Sequence, residues 1–174
     1  MPGIRRSVSY TTRPPREGEK DREDYKFLSR EVFRDKVEKG ELLEWEENFG
    51  SYYGTSWLEF NEALAKNEDI ILSIDVKGAR KIKRLFPESI SIFIMPPSSG
   101  ELETRLRKRN TDEENQVSIR LKEAEKEIAS ANEYDYLIVN TELDKAVDEL
   151  CSVIENERGN RKDKVKKEDR RWRI

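Results

Sequence analysis

Two arginines lie three residues apart in a short proline-rich loop near the start of the chain. The stretch SVSYTTRPPR (7–16) places Arg13 and Arg16 on either side of Pro14 and Pro15. Because each proline fixes its own φ angle, less entropy is lost when the two side chains converge on one ligand. Each guanidinium can fork onto two oxygens of a phosphate. The stretch therefore predicts a phosphate clamp, and the alternative is a surface loop with solvated arginines.

Tyrosines occur at two further places that could serve the same anion. Tyr25 follows Asp24, and Tyr52 and Tyr53 lie between glycines in GSYYGT (50–55). A tyrosine hydroxyl can donate to a phosphate oxygen without adding charge. The alternative is aromatic packing within a hairpin, which we expect for at least one of Tyr52 and Tyr53.

Two acidic residues have positions suited to recognising a base. Glu44 precedes Trp45 in a predicted strand, and Asp75 ends the apolar run IILSID. Ligands of α/β proteins bind at the carboxyl ends of parallel strands. A carboxylate fits an edge with two donors, such as N1–H and the 2-amino group of guanine, which adenine lacks. The alternatives are an exposed strand position for Glu44 and a helix cap for Asp75.

Basic side chains flank Asn110-Thr111, where we expect a break between two helices. A mobile basic flap there could neutralise a charged transition state. The alternative is a solvated helix face, with ion pairs four residues apart to Glu101 or Glu113. The basic residues are Arg105, Arg107, Lys108, Arg109 and Arg120.

Composition excludes several classes of protein. The 174 residues suffice for one domain, or for one domain with an inserted lobe. The chain has no histidine, which excludes histidine-dependent triads and histidine–metal sites, and its one cysteine, Cys151, excludes an internal disulfide. No stretch is long and apolar enough to span a membrane, and no signal peptide is recognisable, so we expect a cytoplasmic protein without a membrane partner. The net charge of −3 does not indicate a nucleic-acid partner, although residues 158–174 are basic.

Strands and helices alternate over much of the chain, which predicts an α/β fold with a parallel sheet. Ser29 is the expected N-cap of the first helix, and a hairpin is expected to turn at 48–51. The next helix, from Trp57, is expected to turn Leu58, Ala63 and Leu64 inward. Strands are expected at 5–10, 69–76, 89–97 and 136–140, and further helices at 77–87, 99–110, 112–134 and 142–159.

These segments together resemble the guanylate kinases, including the kinase-like domains of membrane-associated scaffold proteins. The resemblance runs from about Arg6 to about Glu155, and its first two segments in tandem are highly specific. It is carried by SVSYTTRPPREGEKDREDYKF, LLEWEENFGSYYGT, IILSIDVKGA, IFIMPPS and YLIVNTELDKA.

The resemblance implies the parallel-sheet α/β fold of P-loop nucleoside monophosphate kinases. Residues 1–157 would form a guanylate kinase-like domain, followed by a basic C-terminal tail at 158–174. Within the domain, the resemblance implies a GMP-binding lobe of mixed β-structure and helix at about 8–68, a core at about 69–97 and 134–157, and a lid with helices at about 98–133.

The resemblance also implies roles for individual residues. Ser9, Arg13, Arg16, Tyr25 and Tyr53 match positions that bind the GMP phosphate. Glu44, Thr55 and Asp75 match positions that read guanine. Arg109 and Arg120 match catalytic lid arginines, and Asn140 matches a position on the ATP side, which Arg109 also serves. Ser73 and Asn110 depart from the family pattern without removing any of these residues.

One departure from the family is large. Family members carry a phosphate loop, G-x-x-x-x-G-K-[ST], between a first strand and a first helix. None of the eight glycines here is followed by lysine. We therefore expect the first strand, the P-loop and the first helix to be absent, with MPGIRRSVSYTTR as the junction that follows them. Met1 would then be an internal methionine taken as a start, or the chain a shortened form.

The expected activity is phosphoryl transfer from ATP to GMP in purine nucleotide metabolism, giving ADP and GDP without a covalent enzyme intermediate. Mg²⁺ would accompany ATP, and the protein would be a monomer or a homodimer. Without the P-loop, the 174 residues are expected to turn over weakly or not at all. The alternative is a non-catalytic guanylate kinase-like module that binds GMP or a peptide.

Overall fold

The computed structural model describes residues 1–109 and 114–171, and for 109, 114–116 and 161–171 it describes the backbone alone. The chain forms two compact units, one ending at Ser89 and the other beginning at Ile90.

A four-stranded sheet makes up much of the first unit. Its strands are β2 (Tyr10–Thr11), β3 (Lys26–Phe27), β4 (Leu42–Asn48) and β5 (Ser51–Ser56), in the order β3-β2-β5-β4. β4 and β5 form the predicted antiparallel hairpin, in which Glu46 pairs with Tyr53. The two turn residues, Phe49 and Gly50, both have positive φ angles, 49° and 73°. This is the backbone that a type I′ turn requires, so the hairpin is closed by its own local geometry.

Helix α1 (Arg30–Glu38) packs on this hairpin. Its N-cap is Ser29, as predicted, whose hydroxyl oxygen accepts a hydrogen bond from the Val32 amide at 3.3 Å. The helix buries Phe33, which is 1% exposed and stacks on Tyr52 with ring centroids 5.4 Å apart.

A small α/β core completes the first unit. Strand β1 (Ile4–Arg6) pairs in parallel with β6 (Asp69–Ile71), and helices α2 (Trp57–Ala65) and α3 (Val76–Leu85) belong to the same unit. The centre of the core is Leu43, Phe60 and Ile82, with Trp57, Ile70, Leu72, Ile74 and Phe86 packed against them. The apolar run at 69–76 therefore forms a three-residue strand and the approach to α3, which is shorter than the predicted strand.

The predicted inner face of α2 was partly wrong. Ala63 is fully buried, but Leu58 and Leu64 are 68% and 55% exposed. The helix instead turns Trp57 and Phe60 toward the core, together with Ala63. The two aromatic rings bury more apolar surface than the leucines would, and they recur at the three-residue spacing of one helical face.

The second unit contains a parallel strand pair and three long helices. Its elements are β7 (Ile92–Met95), α4 (Ser99–Arg109), α5 (Glu114–Ala129), a 3₁₀ turn (Ala131–Glu133), β8 (Tyr136–Val139) and α6 (Leu143–Arg171). β7 and β8 are in register from Ile92 opposite Tyr136 to Met95 opposite Val139. Ile138 is 1% exposed and is one of the best-buried side chains of this unit.

Two predictions for the second unit concern the C-terminal tail and the break between its first two helices. Helix α6 extends through most of the predicted tail, to Arg171. The predicted break at Asn110-Thr111 lies outside the described residues. Among the helices that the structure describes, none has an apolar stretch long enough to cross a membrane.

The close approach of strand and helix at Gly54 gives a stability prediction. A methyl group at Gly54 would lie 3.0 Å from Leu42 Cδ1, 3.1 Å from the Glu44 carbonyl oxygen and 3.1 Å from Phe33 Cζ. Because the carbonyl belongs to the paired strand and cannot easily move, we expect Gly54→Ala to lower the free energy of unfolding by about 1–3 kcal/mol. Urea denaturation measures this.

Gly159→Ala is the matched control. Gly159 lies in α6, where an added methyl group meets no atom within 4 Å. Alanine there should leave stability unchanged or raise it by up to about 1 kcal/mol. Equal midpoints for Gly54→Ala and the wild type would contradict the tight packing described at Gly54.

Candidate functional site

The arginine loop is held by its own backbone and by one acidic side chain. The Arg13 amide donates to Thr11 Oγ1 at 3.2 Å, which anchors the loop to the end of β2. Beyond the prolines, the Glu19 amide donates to the Arg16 carbonyl at 3.1 Å, closing a turn with Gly18 at a φ of 82°. A positive φ at the third residue of a turn is well suited to glycine. The turn returns Glu19 to the arginines.

Glu19 binds Arg13 through both of its carboxylate oxygens. Arg13 Nη2 donates to Glu19 Oε1 at 2.8 Å and Nη1 to Oε2 at 3.0 Å, while the Arg16 amide donates to Oε2 at 2.7 Å. The two side chains are only 14% and 18% exposed. Hydrogen bonding from Arg13 lowers the pKa of the Glu19 carboxyl below its usual value. The sequence prediction missed Glu19.

Two of the three candidate tyrosines, Tyr25 and Tyr53, lie near Arg13. The Arg13 guanidinium lies over the Tyr25 ring, 5.4 Å from its centroid, and the Tyr25 and Tyr53 rings are 6.1 Å apart. Burial alone would lower the pKa of Arg13, but hydrogen bonds to Glu19 and Tyr53 outweigh it and raise that pKa. Tyr52 instead packs on Phe33, as the alternative interpretation allowed.

The other two phosphate candidates, Arg16 and Ser9, form hydrogen bonds through their backbone groups. Arg16 is exposed, and its backbone amide, not its side chain, makes the contact with Glu19 described above. Ser9 is half-buried beside the same sheet, and its carbonyl accepts a hydrogen bond from the Lys26 amide at 2.9 Å. Arg13, Tyr25 and Tyr53 are therefore the residues that the structure brings together most directly.

Glu44 is buried rather than exposed. It is 7% exposed, faces Thr55 across the hairpin, and its Oε1 accepts a hydrogen bond from the Thr55 hydroxyl at 2.6 Å. Burial is the largest cause of a raised pKa for Glu44; the Thr55 hydrogen bond opposes it and the Asp75 charge adds to it. The chain has therefore placed a carboxyl group where its charge is costly, as functional sites often do.

Asp75 caps a helix and also lies beside Glu44. Its Oδ1 accepts from the Gly78 amide at 2.7 Å, which makes it the N-cap of α3, and its Oδ2 accepts from Asn48 Nδ2. A methyl group at Gly78 would lie 3.0 Å from Glu44 Oε2 and 3.2 Å from Asp75 Oδ1. Both carboxyl groups thus lie against the Cα of Gly78, so the cap and the candidate base-reading role coexist at Asp75.

Two of the basic candidates in the second unit form ion pairs along α4. Arg105 pairs with Glu101 at 2.9 Å and donates through Nη2 to the Asn140 carbonyl at 3.0 Å. Arg107 pairs with Glu103 at 2.8 Å. The alternative, an ion pair to Glu101, is therefore confirmed for Arg105, whereas Arg107 forms a pair of the same spacing with Glu103, a partner that was not predicted.

Three other basic residues were predicted beside them. Lys108 on α4 is exposed, and Arg120 on α5 is half-buried. The Arg109 side chain, like Glu113, lies outside the described residues. The roles predicted for Arg109, Arg120 and Asn140 remain predictions.

Sequence reasoning missed Glu19 and Asn48. Glu19 lies inside the quoted motif, three residues after Arg16 and six after Arg13, and Gly18 before it signals the turn that brings it back. Asn48 was noted as part of the hairpin turn, but nothing in its spacing indicates a bond to Asp75, which lies 27 residues later.

Comparison with known proteins identifies the family. Residues 4–157 match the family model described as guanylate kinase. The chain belongs to the guanylate kinase family. This covers most of the 174 residues and includes the sites at Arg13 and Glu44.

Individual relatives of the guanylate kinase family agree with this assignment. The guanylate kinase of Prochlorococcus marinus subsp. pastoris is 45% identical over 150 residues, 86% of this chain and 82% of that protein. That of Vibrio vulnificus is 47% identical over 152 residues, 87% of this chain and 73% of that protein. The crystal structure of guanylate kinase from Anaplasma phagocytophilum matches with a TM-score of 0.78 and 37% identity, covering 89% of this chain and 76% of that chain. The predicted family, α/β fold and kinase class are confirmed.

The guanylate kinase family implies Mg²⁺ together with ATP. Within the described part of the chain, no group of three or more Cys, Asp or Glu side chains could hold a metal ion. Glu44 and Asp75 already engage Thr55, Asn48 and the Gly78 amide. The described residues therefore do not fit a metal cage of their own.

The raised pKa of Glu44 predicts how stability depends on pH. The folded state holds the Glu44 proton more tightly than the unfolded chain does. The stability of the fold therefore falls as pH rises from 4.5, the ordinary pKa of a glutamate, through the raised pKa of Glu44. We expect Glu44→Gln to gain stability relative to the wild type over that interval and then keep the gain. Each unit of the shift corresponds to about 1.4 kcal/mol.

Urea denaturation of both proteins at a series of pH values checks this, with Glu47→Gln as the control. Glu47 is an exposed carboxylate on the same strand. A difference between Glu44→Gln and the wild type that did not change with pH would mean that the Glu44 carboxyl is solvated.

Proposed function

We propose that this chain binds GMP in its first unit and serves phosphoryl transfer from ATP to GMP, which gives ADP and GDP. The observation that carries the proposal is the presence, in one compact unit, of a cation–phenol cluster at Arg13 and of the buried Glu44 carboxyl beside the half-buried Asp75. The first suits a phosphate and the second suits the two donors of guanine.

The phosphate of GMP would lie at the arginine loop. Arg13 and Arg16 supply positive charge, and the hydroxyls of Tyr25 and Tyr53 supply neutral donors. Ser9, half-buried just before β2, would add a short hydroxyl donor. Because Arg13 is mostly buried and already held by Glu19, little side-chain freedom is lost when the phosphate arrives.

The guanine base would be read by Glu44, Thr55 and Asp75. Glu44 Oε1 is engaged by Thr55, and Oε2 lies against Gly78 beside Asp75. Each carboxylate oxygen has a second lone pair, so both acids can accept from guanine while keeping their protein partners. Adenine offers no matching pair of donors at this edge, and its approach would leave the buried Glu44 carboxyl without compensation.

The transferring phosphoryl group would be stabilised by Arg109 and Arg120, with Asn140 near the nucleotide donor. Phosphoryl transfer needs positioning and neutralisation of charge, with no covalent intermediate on the enzyme. Mg²⁺ would enter bound to the ATP phosphates and supply charge neutralisation there. The protein would act in purine nucleotide metabolism in the cytoplasm, as a monomer or homodimer without a nucleic-acid or membrane partner.

A specific observation favours a second candidate function, that of a guanylate kinase-like module which binds GMP without turnover. The 174 residues contain no Gly-Lys pair, so they supply no P-loop lysine for the ATP phosphates. A module that binds a peptide in place of the nucleotide is a further form of this alternative. The intact Arg13 and Glu44 sites favour GMP as the ligand.

Replacing Glu44 tests the base-reading role. Gln presents an amide donor where guanine needs an acceptor, so Glu44→Gln should reduce the preference for GMP over AMP by about tenfold to a hundredfold, as expected for hydrogen bonds to a charged group. Calorimetric titration with each nucleotide measures the two affinities. Glu47→Gln should leave the ratio unchanged, and an unchanged ratio in Glu44→Gln would remove Glu44 from guanine recognition.

Turnover of the 174-residue chain is expected to be weak or undetectable in a coupled assay that follows ADP release, because the P-loop contacts are missing. Separate titrations with GMP, AMP and ATP divide the alternatives. Binding of GMP alone indicates the passive module, binding of GMP and ATP indicates a complete kinase, and binding of none indicates a peptide module. Ordinary turnover by this chain would refute the expectation of a missing ATP site.

A further inference from the structure

We propose that Glu19 is a positioning residue of the phosphate site, which turns the Arg13 guanidinium so that its Nε–Nη2 edge faces the phosphate. The proposal rests on the GMP-binding function proposed above. It assigns a role to an acidic residue inside a site that must attract an anion.

The orientation follows from counting the donors of Arg13. A guanidinium has five N–H groups. Nη1 donates to the Pro14 carbonyl at 2.7 Å and to Glu19 Oε2 at 3.0 Å, and Nη2 donates to Glu19 Oε1 at 2.8 Å. Beyond the contacts to Pro14 and Glu19, one N–H remains on Nε and one on Nη2. These two N–H groups lie side by side on one edge of the planar guanidinium, an arrangement that can donate to two oxygens of a phosphate.

The surroundings of Arg13 support this use of the remaining edge. The Tyr25 ring lies against one face of the guanidinium, with its centroid 5.4 Å from Cζ, and the Tyr53 ring lies 6.1 Å from the Tyr25 ring. Pro14 and Glu19 therefore hold the end of the guanidinium, whereas Tyr25 lies against its face. The site would receive the phosphate among groups that are already ordered.

Glu19 also orders the backbone that carries the second arginine. Its Oε2 accepts from the Arg16 amide at 2.7 Å, and its own amide closes the turn onto the Arg16 carbonyl. One carboxylate thus holds Arg13 through its side chain and Arg16 through its main chain. The negative charge of Glu19 opposes phosphate binding, but it is absorbed by two charge-assisted bonds to Arg13, so we expect the ordering effect to dominate.

The test compares Glu19→Gln with Glu17→Gln in the full 174-residue chain. Both remove one negative charge from the same loop, but Glu17 is exposed and is not part of the proposed site. We expect Glu19→Gln to weaken GMP binding by about tenfold, the effect of losing one charge-assisted hydrogen bond, and Glu17→Gln to have little effect. Isothermal calorimetry measures the affinities, and thermal unfolding verifies that each variant is folded.

Two readouts separate positioning from general structural support. Guanosine lacks the phosphate, so its affinity should be unchanged in Glu19→Gln. In an Arg13→Lys background the Glu19→Gln effect should largely disappear, because an ammonium group has no planar edge to orient. In ¹⁵N spectra of the wild type, the Arg13 guanidinium should give separate Nη signals that average in Glu19→Gln.

The possible outcomes are distinguishable. GMP binding in Glu19→Gln that equals or exceeds that of the wild type would overturn the role of Glu19 while leaving the proposed function in place. Equal losses of GMP and guanosine affinity would also overturn it, because they would indicate a structural effect. Absence of GMP binding by the wild type would overturn the proposed function, and the role of Glu19 with it.

Discussion

The register of the β4–β5 hairpin is the constraint on which both candidate sites depend. Successive side chains of a strand point to opposite faces, so Tyr53 and Thr55 share one face of β5, and Tyr52 and Gly54 share the other. Tyr52 and Gly54 pack against Phe33 of α1, which leaves Tyr53 and Thr55 on the face of the candidate phosphate and base sites. A shift of one residue would exchange the two pairs. The packing of an aromatic ring therefore fixes which face of β5 carries the side chains of the candidate sites.

Charged groups of the first unit are held in place before any ligand arrives. Glu44 is buried at a cost that raises its pKa, and Arg13 is confined by Glu19 at low exposure. In both cases the folding free energy of the unit, rather than the free energy of binding, supports the ordering and desolvation of the group. This explains why a small sheet carries a polar site: the apolar packing around Phe33 and Phe60 compensates for it.

Local signals in the sequence predicted much of this structure. Ser29 before an apolar helical face, and an Asn-Phe-Gly-Ser turn between alternating strands, each have a short-range physical cause and were recovered in place. The inward face of α2 was predicted only in part, because a short window of sequence cannot tell whether Trp57 or Leu58 contacts the rest of the core. The prediction from sequence missed Asn48 and Glu19 for a related reason. Their roles depend on where the chain returns, and only Gly18 hints at one of those returns.

The same chemical contact has different consequences in the two units. Arg107 binds Glu103 four residues away on the surface of α4, where an exposed ion pair contributes little. Arg13 binds Glu19 within a loop whose prolines, turn and aromatic neighbours leave little room for other arrangements. An ion pair on a helix surface reports composition, whereas an ion pair inside a constrained loop sets a direction in space. That difference, and not the number of arginines, distinguishes the loop at 13–19 as the candidate phosphate site.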